Sequence, residues 1–380
     1  MRNAFRIAIL WLAGIDLRLT LLAIPPVIPL IHRDLHLDES GIAALSNLPV
    51  LVLAGSSLFG ALLTAKLGAK RALILGLWAI AISGALRGIG PSLPMLFGMT
   101  LIMGAGIAMI QPAFPALARA WYPERVPFAT GIWANGLLCG EAFSAALTIP
   151  WILPMVGGSW ELALAAWSAP VVVSALLLPF VHGATPRAAA NAAWLPNLRD
   201  GRVWRLGIFQ SSASLSYFGV NTFAPDYLHA VGAGAAVAAV LAALNVGQLP
   251  ASLLVGLLPM RVLGRRGMLF GVAALMLIGL GCFVSAVGGA AIAGGVLVGL
   301  AGAYILTVSF ALPAVVARHD EVARLAAGVF TVSYALSFIF NLVAGAIWDA
   351  TRLPLAVAIL IVASIGRGLS TMVAAGAPAA

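Results

Sequence analysis

Residues 104–137 read GAGIAMIQPAFPALARAWYPERVPFATGIWANGL. Two long apolar runs, over 95–117 and 127–150, flank a short interval that holds Arg119, Glu124 and Arg125. Each run approximates the ~20 residues with which a helix crosses a ~30 Å hydrocarbon layer, and the charge lies between the runs. The same alternation extends in both directions. It predicts spans near 5–31, 41–64, 72–88, 95–117, 127–150 and 162–181, then near 206–228, 235–259, 268–287, 290–316, 325–347 and 353–374. The longest polar interval, 182–204 (HGATPRAAANAAWLPNLRDGRVW), divides them six and six. The expectation is an all-α integral membrane protein with 12 transmembrane helices in two pseudo-symmetric bundles. An N-terminal bundle covers 1–181, a cytoplasmic linker 182–204 and a C-terminal bundle 205–380.

Composition leaves little room for another class. Of 380 residues, 62% are apolar and 9% charged, against ~45–50% and ~25% in soluble domains. So few charges cannot cover the surface of a water-soluble fold of this size. A net charge of +9 would suit nucleic acid, but the basic residues cluster between apolar runs. That is the positive-inside pattern, and no nucleic-acid partner is expected. Cys139 and Cys282 lie far apart in apolar segments and read as packing residues. Arg2 and Arg6 precede IAILWLAGI without a small-residue cleavage site, so the first apolar run reads as an uncleaved span.

With the N-terminus inside, 17 of the 21 basic residues fall on the cytoplasmic side, including Lys66, Lys70, Arg71, Arg265 and Arg266. Only Arg33 and Arg352 lie outside, and Arg18 and Arg87 lie within spans. This bias places both termini in the cytoplasm. The halves also look duplicated. Asn47 and Asn245 are 198 residues apart, Gly68 and Gly264 196, Pro115 and Pro313 198, and Gly131 and Gly328 197. AKLGAKRAL (65–73) answers MRVLGRRGML (260–269). Parallel six-span halves put a substrate site at their interface near the bilayer midplane.

The chain resembles the major facilitator superfamily and, within it, the cyanate/2-nitroimidazole (CynX/NimT) transporters. The stretch 104–137, the Asp16-Leu17-Arg18 triplet, the LPV of 48–50 and GSWELALAAW at 158–167 carry the likeness. The loop 65–71 is similar to the superfamily's cytoplasmic motif, with Ala65 where an Asp is usual. The resemblance implies a monomeric bacterial inner-membrane transporter that takes a small-molecule substrate and sits among membrane lipids. It also implies a cytoplasmic gate involving Lys66, Gly68, Lys70, Arg71, Arg265 and Arg266. No P-loop, HExxH, CxxC or GxSxG occurs, so neither enzymatic catalysis nor a cofactor is expected.

Arg18 is the sharpest single feature. It lies 12 residues past Arg6, ~18 Å along a helix, too deep to snorkel. A midplane arginine costs at least ~2.5–3.5 kcal/mol, so it must face water or a partner. Two readings follow: an anchor for a small anion, or a structural ion pair. Asp16 stands about 200° around the helix from Arg18 and points to a different neighbour, with Thr20 one turn above it. Glu141, at a similar depth in span 5, is the expected partner of Arg18 or Asp16. Glu141 is then a candidate for proton coupling if substrate releases it, and Asp16 is the other. Arg87, just before GIGPSLP, reads as an anchor at the outer interface.

Span 7 carries Gln210, Ser214, Tyr217 and Asn221 at spacings of 4, 3 and 4, within one arc of about 60°. This stripe reads either as helix packing or as a cavity wall that hydrogen-bonds substrate. Gln111, before Pro112, is a substrate or gating candidate, because irregular backbone at depth is tolerated where it lines a cavity. Tyr304 is a weaker candidate. The leading functional expectation is a secondary transporter of a small, cyanate-like monoanion, with protons as a coupling ion. The alternatives are an exporter of drug-like or nitroimidazole-type compounds, with Arg18 in a structural pair, and a non-transporting receptor or scaffold.

Overall fold

The computed structural model describes residues 2–36, 39–89, 92–182, 194–285 and 289–351. Regular structure among these is helical throughout. Span 1 is broken into α1 (Arg2–Leu19) and α2 (Ile24–Leu35), because Pro25 and Pro26 remove two amides from the helical ladder. Helices α3 (Glu39–Leu67) and α4 (Ala69–Leu86) follow, joined at Gly68, whose φ of 84° and ψ of 154° suit glycine alone. Span 4 breaks at Gln111-Pro112 into α5 (Leu93–Ile110) and α6 (Ala113–Trp121). Span 5 is α7 (Val126–Leu147), a π-helical turn at Thr148–Ile152 containing Pro150, and α8 (Leu153–Met155). Span 6 is α9 (Trp160–Ala166) and α10 (Ser168–Leu177), closed by a short 3-10 turn at Leu178–Phe180.

In the second half, α11 (Gly201–Ala230), α12 (Val237–Leu257) and the short α13 (Met260–Leu263) come first. Then come α14 (Arg266–Ser285), α15 (Gly289–Val316) and α16 (Val322–Thr351). Nine helical segments among the described residues are long and apolar enough to cross a membrane. The span expected at 353–374 and residues 183–193 of the linker lie outside the described residues.

The chain forms two compact units. One comprises 1–124, 132–196 and 317–327, the other 125–131, 197–316 and 328–380. Within the first, α3 and α4 pack on α5, and α10 lies on α1 and α4. Helices α1 and α7 approach so closely that a Cβ on Gly14, Gly136 or Gly140 would collide with the backbone carbonyl of Trp133, Trp11 or Ile15. Small residues that let backbones touch are the main device of helix association in lipid, where no hydrophobic force separates helix from solvent. Trp11 Nε1 donates to Asn135 Oδ1 across the same seam at 2.9 Å. In the second unit, α15 packs on α11, α12 and α14. Gly247, Gly295 and Gly299 bring α12 and α15 to backbone contact.

Candidate functional site

The α1–α7 seam sets the geometry of the first candidate site. Arg18, in the last turn of α1, puts Nε 3.3 Å from Oε1 of Glu141 on α7. Arg18 is only 5% exposed and Glu141 only 4%. Gly140, one residue before Glu141, seats the helix against Ile15, and that close approach brings the two side chains within reach. Of the alternatives open for Glu141, this is the Arg18 pairing. Asp16 is turned away, as the helical angle requires. Its buried carboxyl lies beside Ser174 of α10.

Arg87 corrects the sequence reading. It is 1% exposed, so its side chain is packed inside the first unit and not free to snorkel. Its Nη2 donates to the Thr20 carbonyl at 2.7 Å, in the break between α1 and α2. The depth count placed Arg87 near the end of its helix but left its direction open, and an unsatisfied carbonyl drew it inward. Gly84 and Gly88 carry the missed signal. Gly84 lies against Ser168 Oγ and the Thr20 methyl, and Gly88 against the Glu161 carbonyl. The face beside Arg87 is therefore a packed one. Among its described residues the first unit thus buries two arginines and two acids. One of these cations, Arg18, has a carboxylate partner, and Arg87 has a backbone carbonyl.

Gln111 is fully buried at the α5–α6 break, where its own carbonyl accepts from Phe114 N at 3.3 Å. Phe114 stacks on Trp133 at 4.8 Å between centroids, linking α6 to the α1–α7 seam.

The substrate-binding candidates of the second unit are neutral. Tyr217 donates its hydroxyl to Asn245 Oδ1 at 3.0 Å, and Gln248 Nε2 approaches the same oxygen at 3.4 Å. Asn221 Nδ2 donates to the Tyr217 carbonyl at 2.9 Å. Gln210 and Ser214 are buried on the same helix, and the Gln210 amide meets no hydrogen-bonding group among the described residues. The stripe therefore joins α11 to α12 through a tyrosine–asparagine–glutamine network. Tyr304 spends its hydroxyl on the Leu263 carbonyl at 2.9 Å, tying α15 to α13. The side chain of Asn47, the counterpart of Asn245, lies outside the described residues.

Among the basic residues expected at the gate, Lys66, Arg71, Arg265 and Arg266 are exposed. Lys70 is half-buried and donates to the carbonyls of Pro179 and Val181, each at 2.8 Å. Arg6 Nε donates to the next carbonyl, His182, at 2.8 Å. Both cations close the C-terminal end of span 6, where carbonyls lack helical donors and the helix dipole favours positive charge.

Similarity to known proteins agrees with this architecture. The cyanate transport protein CynX of Escherichia coli is 28% identical over 280 residues, 73% of this chain and 72% of that protein. The 2-nitroimidazole transporter of the same organism is 28% identical over 281 residues, 72% and 68% of the respective chains. The crystal structure of the human organic anion transporter MFSD10 superposes with a TM-score of 0.73 at 13% identity, covering 98% of this chain and 99% of that one. FucP in its outward conformation gives the same score at 14% identity, over 96% and 97%. At such identities these structures speak for the fold alone. The Major Facilitator Superfamily model matches residues 10–341, so this chain belongs to that superfamily.

Proposed function

We propose that the protein moves a small monoanion, cyanate-like or a short organic anion, across a bacterial cytoplasmic membrane by alternating access, with Arg18 as the anchor. As a member of its superfamily it is a membrane transporter of small solutes and not an enzyme. The observation that carries the anionic reading is the buried Arg18–Glu141 contact. A guanidinium offers a planar fork of donors to a small anion, and Glu141 holds that fork in place until substrate arrives. When an anion takes Arg18, Glu141 loses its counter-ion in a low-dielectric setting and takes up a proton. Anion and proton then travel together, and departure of the anion restores the pair and expels the proton. In the second unit the neutral side chains of Tyr217, Asn221, Asn245 and Gln210 offer hydrogen bonds without a second charge.

A second reading has a specific observation in its favour. Arg18 is already paired, so a transporter of neutral nitroimidazole-type solutes would keep the pair closed throughout its cycle. Counterflow in proteoliposomes separates the two, using cyanate, short monocarboxylates, a nitroimidazole and a lipophilic cation. The anion reading expects cyanate or monocarboxylate exchange in the wild type and its loss in a folded Arg18→Gln protein. Neutral-solute exchange that survives Arg18→Gln, without anion exchange in the wild type, establishes the second reading instead.

A further inference from the structure

Arg87 takes no part in the ion pair described above, yet it is among the largest fully buried side chains of the protein. The break it touches lies immediately beyond Arg18. Helix α1 stops at Leu19 and α2 resumes at Ile24. In a continuous helix the carbonyls of Leu21 and Leu22 would accept from residues 25 and 26, but both are prolines without an amide proton. A backbone break at membrane depth survives only where neighbouring groups satisfy the freed carbonyls. The end of a helix is also the negative pole of its dipole, so a cation is the favoured donor there.

The Thr20 carbonyl lies in the same break, one residue before Leu21; its helical donor would be the Ile24 amide, where α2 restarts, and Arg87 supplies a donor to it. Arg87 stands at the end of α4 and gives Nη2 to the Thr20 carbonyl at 2.7 Å. No carboxylate among the described residues pairs with it, so its charge is directed at the backbone of the break. Its Nε and Nη1 have no hydrogen-bond partner among the described residues, and neither do the hydroxyls of Thr20 and Ser168 close by. The lack of a side chain at Gly84, one turn before Arg87, lets Ser168 and Thr20 close in on α4. The last turn of α1 is completed by the Leu22 amide, which donates to the Arg18 carbonyl at 2.9 Å. Whatever fixes residues 20–23 therefore fixes the turn from which Arg18 projects.

We infer that Arg87 is a positioning residue for the anion anchor, capping the broken end of α1 from span 3 and thereby holding Arg18 at its working angle. The transport consequence rests on the reading of Arg18 as the anchor, whereas the capping consequence does not. The test uses the full chain in nanodiscs and proteoliposomes, with Arg87→Met and Arg87→Lys. Hydrogen exchange reads the cap. Arg87→Met is expected to speed exchange of the 19–24 amides by about tenfold or more relative to 8–16, and Arg87→Lys by about threefold or less.

Cyanate counterflow reads the positioning. KM is expected to rise about tenfold in Arg87→Met with the maximal rate within about threefold, and Arg87→Lys is expected to recover most of the loss. Unchanged exchange in Arg87→Met overturns the cap. Raised exchange with an unchanged KM, or a fall confined to the maximal rate, overturns the positioning role. Should Arg87→Met fail to fold, Arg87→Gln, a shorter and uncharged donor, is expected to speed exchange of the 19–24 amides by about threefold or more and to raise KM, and unchanged exchange in it overturns the cap. If Arg18→Gln retains anion flux, the anchor reading falls, while the exchange result still decides the cap.

Discussion

Arg18 and Glu141 meet at 3.3 Å across a seam where two helices touch backbone to backbone. Neither charge is stable alone at that depth, so their energies are coupled. Removing one member of a buried pair costs ~3–5 kcal/mol, because the survivor remains desolvated, whereas removing both takes away charge and partner together. Arg18→Gln/Glu141→Gln is therefore expected to be no less stable than either single variant. A coupling of about 2 kcal/mol or more is expected in a double-mutant cycle of reversible unfolding in mixed micelles. Additive losses would show that each residue leans on other partners.

The seam itself is testable without touching a charge. At Gly140 a Cβ would enter the Ile15 carbonyl, which is backbone and cannot rotate away. Gly140→Ala is expected to cost about 1–3 kcal/mol as overpacking and to widen the Arg18–Glu141 gap. Gly98 in α5 has nothing within 4 Å of its Cβ position. There alanine is expected to stabilise by about 0.5–1 kcal/mol through helix propensity. Melting temperatures of the two variants in one detergent give the comparison, and equal shifts would remove the seam from the account.

Arg18 and Glu141 also mark how much of the site is legible in the sequence. Span positions followed from apolar runs, since hydrocarbon thickness fixes run length, and the depth of Arg18 and Glu141 followed from counting 1.5 Å per residue. Counting gives depth along a helix but not the neighbour a side chain meets. Depth alone therefore assigns Arg87 to the outer interface, whereas its side chain turns inward to Thr20. The break at Thr20 was missed for a related reason. Pro25 and Pro26 lie inside an apolar run that hydropathy reads as one span. Tyr304 shows the same limit, because its hydroxyl serves a carbonyl 41 residues away in sequence that no periodicity indicates.

At the start of span 7, Asp200 caps α11 by accepting from the Arg202 amide at 2.9 Å, and its carboxylate holds the Arg202 guanidinium at 2.7 Å. The hydrogen bonds from Arg202 lower the Asp200 pKa below its ordinary value, against a smaller opposing effect of partial burial. A lowered folded pKa means that the cap is at full strength above about pH 4, the unfolded value. It weakens as pH falls through the lower folded value. Amides of 201–204, corrected for intrinsic exchange, are expected to lose protection as pH drops below about 4 in the wild type. Asp200→Ala is expected to lack that dependence and to cost about 1 kcal/mol as a lost N-cap. The same acid-induced loss in Asp200→Ala would assign it to another group.

Tyr217 offers the clearest separation of packing from substrate contact in the second unit. Its hydroxyl and the Gln248 amide converge on Asn245 Oδ1 at 3.0 and 3.4 Å, and Asn245 Nδ2 donates to the Leu241 carbonyl at 2.8 Å. Tyr217→Phe keeps the ring and deletes one donor, a change of about 1 kcal/mol if the network is purely structural. Gln248 remains to serve Asn245, so the fold is expected to tolerate the change. If the hydroxyl also reaches substrate, KM for the transported anion rises by about fivefold or more with the melting temperature almost unmoved. Asn245→Ala provides the contrast, since it leaves the Tyr217 hydroxyl in place but frees its direction. A KM shift in Asn245→Ala that matches Tyr217→Phe identifies the pair as one hydrogen-bonding unit facing substrate. A stability loss in both variants with KM unchanged assigns the stripe to the packing of α11 on α12.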